Sequence, residues 1–237
     1  MTDAMGKVAG KVAGKAALAT GGVMPGRRDS EKLGPGTVVA ARELLTTSGA
    51  LAKIPDPEQR VHLQFRRFAG CPVCNLHLRA MVRRQGEIAA SGIREIVVFH
   101  STVEEMLVHA ADLPFAVIAD PDKLLYRAFG VESSPRALLD PRAWLPILRA
   151  IFDSLLATIR ERRPVPPAHP RGGRLGLPAD FLIASDGRMI ACKYGDHLYD
   201  QWSVDELLSL AVQDDGNCAS APSQGSPSGR SRRWRTG

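Results

Sequence analysis

Residues 61–83 read VHLQFRRFAGCPVCNLHLRAMVR, and this stretch determines the class of fold. From Val61 to Arg66, apolar and polar side chains alternate, a period of two that predicts a β-strand. After the second cysteine the apolar residues recur at helical spacing, which predicts a helix that ends near Gly92. Cys71 and Cys74 therefore lie where a strand passes into a helix.

The position of the two cysteines predicts a reactive thiol pair. A cysteine that begins a helix faces backbone N–H groups without helical partners, and their partial positive charge stabilises a thiolate. The thiolate attacks disulfides and peroxides, and a second thiol nearby can close on the first to release product. We therefore predict that Cys71 is the nucleophile and Cys74 the resolving thiol. Either Arg66 or Arg67 adds positive potential, since strand alternation directs only one of them toward the site.

Zinc binding is the competing interpretation, because closely spaced cysteines also supply half of a tetrahedral site. No second pair completes such a site, since Cys192 and Cys218 stand alone. His77 and His100 lack the spacing of metal ligands. A cysteine pair between a strand and a helix favours redox chemistry over zinc, and two inert buried thiols are a third interpretation. We expect Cys192 in the core, Cys218 in a tail, and no catalytic histidine.

Four further strands are predicted. The runs at 96–99 and 115–119 are continuously apolar, which is typical of strands buried on both faces. Residues 181–184 and 189–194 flank an Asp-Gly pair, a strong hairpin signal. Strands that alternate with helices and end in a hairpin require a mixed central sheet flanked by helices, so the predicted fold class is α/β.

Helices are predicted between and after these strands. Three of them have capping residues at their starts: Thr102 with Glu105, Asp120 with Pro121, and Ser203 with Glu206. We expect the second to end at Gly130 and the third at Leu210. A fourth, with an apolar stripe from Trp144 to Ile159, forms an insertion before the hairpin. This helix packs on its own domain in the simplest interpretation, and the alternative is a homodimer or membrane-surface face.

The chain divides into one domain and two tails. Residues 1–34 are basic and repeat glycine every fourth residue, and residues 216–237 are rich in serine, proline and arginine. Both segments are expected to be disordered. The ordered domain is thus predicted at 35–215, with the insertion at 132–176.

The net charge of +6 belongs to the tails. Residues 216–237 contribute four arginines and no acid, and residues 1–32 have three more bases than acids, which leaves the middle of the chain at −1. A near-neutral domain without a basic and aromatic face does not favour nucleic-acid binding. No run approaches the roughly 20 apolar residues of a membrane span, and no secretory signal is recognisable, so we expect a cytoplasmic protein.

The cysteine segment also carries a family resemblance. Phe65–Arg79 resembles the active-site segment of peroxiredoxin-like proteins of the alkyl hydroperoxide reductase and thiol-specific antioxidant (AhpC/TSA) group. Residues 113–121 and 126–131 are similar to the stretch that leads into the middle helix of peroxiredoxins. The resemblance extends over residues 35–213 apart from the insertion. It implies a thioredoxin-like fold, peroxide or disulfide chemistry, and no metal or organic cofactor.

Two features depart from the family pattern. Typical peroxiredoxins orient the peroxide with a proline and a threonine where this chain has Gln64 and Phe68, and with an arginine where it has Pro178. Conversely, Pro178 resembles the cis-proline that faces the cysteine pair in thioredoxins, although a trans bond is equally compatible with the sequence. The candidate substrate-binding residues are therefore Pro178 and Arg67.

Three hypotheses about function follow. The first is an antioxidant thiol oxidoreductase that reduces peroxides or disulfides and cycles between a dithiol and a Cys71–Cys74 disulfide. Its electrons would come from an external thiol donor of thioredoxin or glutathione type, since no nucleotide-binding glycine motif follows a strand. The second is a non-enzymatic redox sensor or partner-binding module that uses the insertion and the tails. The third is a small zinc-stabilised binding domain.

Overall fold

The computed structural model describes residues 32–131, 148, 149, 152, 173 and 176–220, and of residues 217–220 it describes the backbone alone. The predicted tails up to residue 31 and from residue 221, and most of the predicted insertion, lie outside these residues. Within the insertion, Leu148 and Phe152 are described, and both side chains are exposed. Among the described residues, no helix has the length and apolar content of a membrane span.

The described residues include the following strands, which form two sheets, and the following helices. The strands are β1 (Arg42–Leu45), β2 (Leu51–Ile54), β3 (Arg60–Arg66), β4 (Ile93–Phe99), β5 (Ala116–Ala119), β6 (Ala179–Ile183) and β7 (Met189–Tyr194). The helices are α1 (Pro72–Arg83), α2 (Gln85–Ala90), α3 (Val103–His109), α4 (Leu124–Ala128) and α5 (Val204–Ser220). The central sheet has the order β5-β4-β3-β6-β7, while β1 and β2 form a separate antiparallel pair.

The central sheet is mixed, which confirms the predicted α/β class. Strand β3 is parallel to β4, and β4 is parallel to β5. Strands β6 and β7 continue the sheet on the other side with antiparallel pairing. The turn between β6 and β7 contains Gly187 at φ 89°, a conformation that glycine adopts without strain, and it forms the predicted hairpin.

Both faces of β3 are buried, although only one of them is apolar. Val61, Leu63 and Phe65 join the largest apolar cluster, together with aromatic side chains of α4 and β6. The polar residues that alternate with them are also fully buried, on the opposite face: His62, Gln64 and Arg66. Both faces of β3 thus lie inside the protein. The apolar residues face an apolar core, and the polar residues that alternate with them face a polar one.

Several helix starts are confirmed. Thr102 and Glu105 form the predicted capping box of α3, in which each side chain bonds to the backbone N–H group of the other. Ser203 and Glu206 do the same for α5. These local sequence signals place the helix starts correctly because each depends on residues of a single turn.

Other boundaries were predicted wrongly. The helix expected to reach Gly92 consists of α1 and α2, which are separated at Arg84. Helix α4 begins at Leu124 and not next to Pro121, because the Asp120 carboxylate accepts three backbone N–H groups across an intervening turn. Helix α5 continues past Leu210 to Ser220.

The later end of α5 and the unpredicted β1–β2 pair have different causes. Asp214, near the end of α5, forms ion pairs with Arg60 and Arg188, which hold the helix against the sheet beyond the predicted end. The pair formed by β1 and β2 was not predicted, because its strands are only four residues long and include charged side chains.

Candidate active site

The site is built at the N-terminus of α1, where β3 passes through a short turn. Cys71 is the N-cap residue, with extended backbone angles, and Pro72 occupies the first turn. Two hydrogen bonds fix the turn to the end of β4: the backbone N–H of Ala69 donates to the Ser101 hydroxyl at 3.0 Å, and that of His100 donates to the Arg67 carbonyl at 3.1 Å. The predicted junction therefore presents both cysteines on the first turn of the helix.

Gly70 is required immediately before Cys71 for two reasons. Its φ of 81° lies in the left-handed region that glycine tolerates. In addition, a Cβ at this position would lie 3.0 Å from Nδ1 of His109, the last residue of α3. The close approach of the His109 ring to the backbone leaves no space for a side chain beside the nucleophile.

The Cys71 sulfur is held as an anion. The Cys74 thiol donates a hydrogen bond to it, the Arg67 guanidinium adds a positive charge, and the backbone N–H groups of Val73 and Cys74 point toward it. Nη1 of Arg67 lies 3.6 Å from Sγ of Cys71. Burial opposes these effects, yet together they lower the pKa of Cys71 to about 6. Cys71 is therefore mostly thiolate at neutral pH.

Cys74 has the opposite character. Its hydrogen bond to Cys71 and its burial raise the pKa of the Cys74 thiol well above the ordinary value. The two sulfurs thus share one proton that stays on Cys74, which is what a nucleophile and a resolving thiol require. The nucleophilic role of Cys71 and the resolving role of Cys74 stay predictions.

Both cysteines are buried in one cluster of apolar side chains. Cys71 is 1% exposed and Cys74 is 2% exposed. Their cluster includes Phe68 from the turn and Leu198 from the connection between β7 and α5. Leu76, Leu177 and Tyr199 pack against this cluster. The long-range members of this cluster gave no signal in the sequence, because their place in it depends on tertiary structure.

The two arginines that precede the site point in different directions, as strand alternation predicts. Arg67 lies beside Cys71, and its guanidinium also stacks on the Phe68 ring with 5.3 Å between the charge and the ring centroid. Arg66 is fully buried on the other side of the chain, where it forms an ion pair with Asp180 at 2.6 Å. Only Arg67 therefore contributes directly to the thiolate.

A buried polar network lies between the sheet and α1, and the sequence analysis missed it. The Asp180 carboxylate accepts hydrogen bonds from Arg66, from His62 and from the backbone N–H of Trp202. His62 also bonds to Glu95 at 2.9 Å. Gln64 connects Arg66 with Glu95, and Arg66 bonds to His77 of α1 at 3.1 Å. The polar alternation along β3 was the one available signal.

Pro178 does not have the conformation that the thioredoxin resemblance suggested. The Leu177–Pro178 peptide is trans. Pro178 is buried, and its carbonyl accepts the backbone N–H of Gly195 at 2.9 Å. A Cβ on Gly195 would approach Cγ of Pro178 to 2.8 Å, so the two residues are in close contact. The neighbouring Leu177 packs against the apolar cluster of the two cysteines.

Cys192, His77 and His100 have described partners other than the cysteine pair. Cys192 is half-buried on β7, where its thiol donates to the Leu33 carbonyl at 3.3 Å. The side chain of Cys218 lies outside the described residues. His77 is part of the buried network, and the His100 ring packs on Tyr126. Within the described part of the chain, no three His, Cys, Asp or Glu side chains are grouped closely enough to hold a metal ion.

Arg67→Gln is expected to raise the pKa of Cys71 by about one unit, because it removes the positive charge beside the thiolate. The pH profile of Cys71 alkylation measures this shift. In the wild type the rate should fall as the pH drops through about 6, and the variant should lose reactivity at higher pH. Arg83→Gln, at the exposed end of α1, is the matched control. Equal midpoints for wild type and Arg67→Gln would contradict the role of Arg67.

This chain is similar in sequence to one protein family and in fold to several known structures. Residues 80–197 match the family described as AhpC/TSA antioxidant enzyme, a segment that begins after Cys74. No curated protein sequence matches the chain. Three peroxiredoxin structures show similarity to the fold, with identities too low to show more than that.

Peroxidoxin BcpB from Mycobacterium tuberculosis is 15% identical, with a TM-score of 0.54 over 76% of this chain and 97% of that one. A mutant of peroxiredoxin 6 from Arenicola marina is 15% identical, with a TM-score of 0.57 over 82% of this chain and 80% of that one. The reduced 2-Cys peroxiredoxin of Plasmodium vivax is 11% identical, with a TM-score of 0.54 over 81% and 89%. These proteins are therefore similar to this chain in fold.

Proposed function

The chain is a peroxiredoxin-like protein with a thioredoxin-type fold, and from that premise we propose that it is a thiol peroxidase that works through Cys71 and Cys74. One observation carries the proposal. The Cys71 thiolate lies at the N-terminus of α1, accepts a hydrogen bond from the Cys74 thiol, and has the Arg67 guanidinium 3.6 Å away. A stabilised thiolate next to a protonated thiol is the starting state of a dithiol cycle.

The cycle has three balanced steps. The Cys71 thiolate attacks one oxygen of a hydroperoxide, the O–O bond breaks, and the leaving alkoxide or hydroxide takes up a proton to give an alcohol or water. Cys71 is thereby oxidised to sulfenic acid. The Cys74 sulfur then attacks the Cys71 sulfur, a disulfide forms, and the hydroxyl leaves with the proton of Cys74 as a second water. Two thiols of an external donor finally reduce the disulfide and become oxidised themselves.

The second step depends on a change in the charge around Cys74. While Cys71 is an anion, it keeps Cys74 protonated. Once Cys71 is bound to oxygen, that negative charge is gone, and the Arg67 charge and the Arg67 backbone N–H favour ionisation of Cys74. Arg67 therefore lowers the pKa of Cys71 before the peroxide reacts and the pKa of Cys74 afterwards. It activates both thiols and also contacts the substrate.

Disulfide exchange is the second candidate, and two observations favour it. Gln64 and Phe68 occupy the positions where typical peroxiredoxins orient the peroxide. The Gln64 amide is engaged with Arg66 and Glu95, and Phe68 packs on the cysteines. Neither side chain offers a free polar group to a peroxide. The Cys71–Cys74 dithiol also supplies the two thiols that disulfide exchange requires.

Thiol mapping after a pulse of hydrogen peroxide is the test. The reduced protein is exposed to peroxide for increasing times, quenched with an alkylating agent, and analysed by mass spectrometry. We expect sulfenic acid on Cys71 first and a Cys71–Cys74 disulfide next. Cys192, whose thiol pKa burial raises, is an internal control and should remain reduced. Steady turnover of peroxide with dithiothreitol should accompany the mapping.

Other outcomes of this experiment separate the alternatives. Oxidation that starts on another cysteine would overturn the assignment of the nucleophile. Rapid reduction of an insulin disulfide without peroxide turnover would favour disulfide exchange. Reversible formation of the Cys71–Cys74 disulfide without turnover of either substrate would favour a non-enzymatic redox sensor.

A further inference from the structure

Gly176, the last residue of the predicted insertion, lies beside Arg67. A Cβ at this position would be 3.6 Å from Cγ of Arg67 and 3.2 Å from Nε2 of His100. Gly176 is buried, and its φ lies outside the left-handed region, so φ alone would allow a larger residue. Glycine is therefore required at this position for space and not for its backbone angles.

The His100 ring has little freedom to move away from Gly176. It is completely buried and packs on the Tyr126 ring, with 5.7 Å between the centroids. The Tyr126 hydroxyl in turn donates to the Val98 carbonyl at 3.1 Å, which fixes that ring to the end of β4. The unbranched stem of Arg67 has several rotatable bonds. A larger side chain at position 176 would therefore displace the Arg67 stem more readily than the His100 ring.

Displacement of Arg67 would weaken the charge interaction at the nucleophile. The Arg67 guanidinium lies 3.6 Å from the Cys71 sulfur and stacks on the Phe68 ring. At the other end of the residue, the Arg67 carbonyl accepts the backbone N–H of His100 at 3.1 Å. The stem that joins these two fixed ends passes Gly176. Because the attraction between opposite charges falls as their separation increases, a shift of the stem would destabilise the thiolate.

We propose that Gly176 is a positioning residue: the narrow space between its backbone and the His100 ring fixes the stem of Arg67, so that the guanidinium stabilises the Cys71 thiolate. This inference rests on the proposed function, because it concerns the same nucleophile. It also makes the end of the insertion a part of the active site.

Gly176→Val tests the proposal through the pH profile of Cys71 alkylation, which requires no peroxide turnover. Its two methyl groups extend beyond Cβ into the space of the Arg67 stem and the His100 ring, and such overpacking forces neighbouring side chains to move. We expect the midpoint of the profile to rise by about half a pH unit, because the Arg67 charge is displaced and not removed.

Gly176→Ala is the milder variant and keeps the test valid if Gly176→Val fails to fold. Its Cβ alone is at ordinary contact distance from the Arg67 stem, so it should raise the midpoint by a smaller amount. Gly86→Val is the matched control, because a Cβ at Gly86, which is exposed on α2, would meet nothing within 4 Å. The control should have the wild-type midpoint. Circular dichroism checks that each variant is folded.

The same substitution in an Arg67→Gln background separates positioning from a general disturbance of the site. If Gly176 acts through the Arg67 charge, Gly176→Val should leave the midpoint of the Arg67→Gln protein unchanged. A substitution that merely loosened the structure would move the midpoint by the same amount in both backgrounds.

Two results would overturn the proposal. One is the wild-type midpoint in folded Gly176→Val and Gly176→Ala. The other is an equal rise in the wild-type and Arg67→Gln backgrounds. The expected midpoints in a protein without peroxide turnover would contradict the proposed function and support the role of Gly176. Peroxide turnover with unchanged midpoints would support the function and contradict that role.

Discussion

Cys71→Ser is expected to reduce peroxide consumption to the uncatalysed rate, a loss of at least about 10³-fold. A serine hydroxyl is not ionised by the groups that lower the pKa of Cys71 to about 6, so the helix N-terminus and Arg67 would surround a group that cannot attack. The measurement is the initial rate of hydrogen peroxide loss with dithiothreitol as reductant. The wild type and the variant are compared at pH 7, where the wild-type thiolate predominates.

Two further cysteine variants make this result specific. Cys74→Ser should form sulfenic acid on Cys71 in a single turnover but no intramolecular disulfide, because the resolving sulfur is missing. Cys192→Ser should retain wild-type turnover. Cys192 lies on β7, donates a hydrogen bond to the Leu33 carbonyl, and is outside the cluster that contains Cys71 and Cys74. Peroxide turnover that persists in Cys71→Ser would rule out the proposed nucleophile.

The features that the sequence predicts correctly depend on neighbouring residues. The strand-to-helix junction at Cys71 follows from a period of two that changes to a helical period within a few residues. The capping boxes at Thr102 and Ser203 each involve a single turn. The groups that lower the pKa of Cys71 are also local: the Cys74 thiol first, then Arg67, then the backbone N–H groups of the turn that Cys71 begins.

The features that the sequence does not predict depend on residues far apart in the chain. Leu198 belongs to the apolar cluster of the two cysteines, and Tyr199 packs against it, although more than a hundred residues separate them from Cys71. The close contact between Pro178 and Gly195 is a second example, because the two residues are distant in the sequence and meet across β6 and β7.

The buried network is the clearest case in which tertiary contacts bury residues that the sequence pattern alone would place in solvent. In β3, His62, Gln64 and Arg66 resemble the solvent face of an amphipathic strand. They are buried because α1 covers that face and because Asp180 and Glu95, from the neighbouring strands, supply the compensating charges. Two carboxylates and two cations enclosed together avoid the penalty of an isolated buried charge.

Asp180→Ala is expected to destabilise the fold by about 3–5 kcal/mol, because it leaves Arg66 buried without its carboxylate partner. Total unfolding free energies are about 5–15 kcal/mol, so the variant would lose a large part of its stability. Urea denaturation followed by circular dichroism measures the change. Asp122→Ala removes an exposed acid from a turn and should change the unfolding free energy by at most about 0.5 kcal/mol.

The double variant Arg66→Met with Asp180→Leu separates the lost ion pair from the lost packing. Replacing both charges with apolar side chains removes the unpaired cation, so most of the stability lost in Asp180→Ala should return. A double variant as unstable as Asp180→Ala would mean that the hydrogen bonds to His77 and Trp202, rather than the charge pair, hold this face together.

The stability that Asp180 contributes should also depend on pH, through His62. Burial alone would lower the pKa of His62, but Glu95 and Asp180 outweigh it and raise the pKa to about 9. A raised folded-state pKa stabilises the protein fully below about pH 6.5, the ordinary value, and the effect is lost as the pH rises to about 9. The contribution of His62 to the free energy of unfolding declines by at most about 1.4 kcal/mol per pH unit. The difference between wild type and Asp180→Ala should therefore narrow over this range, by the part of the pKa increase that Asp180 causes. A constant difference would show that Asp180 does not raise the pKa of His62.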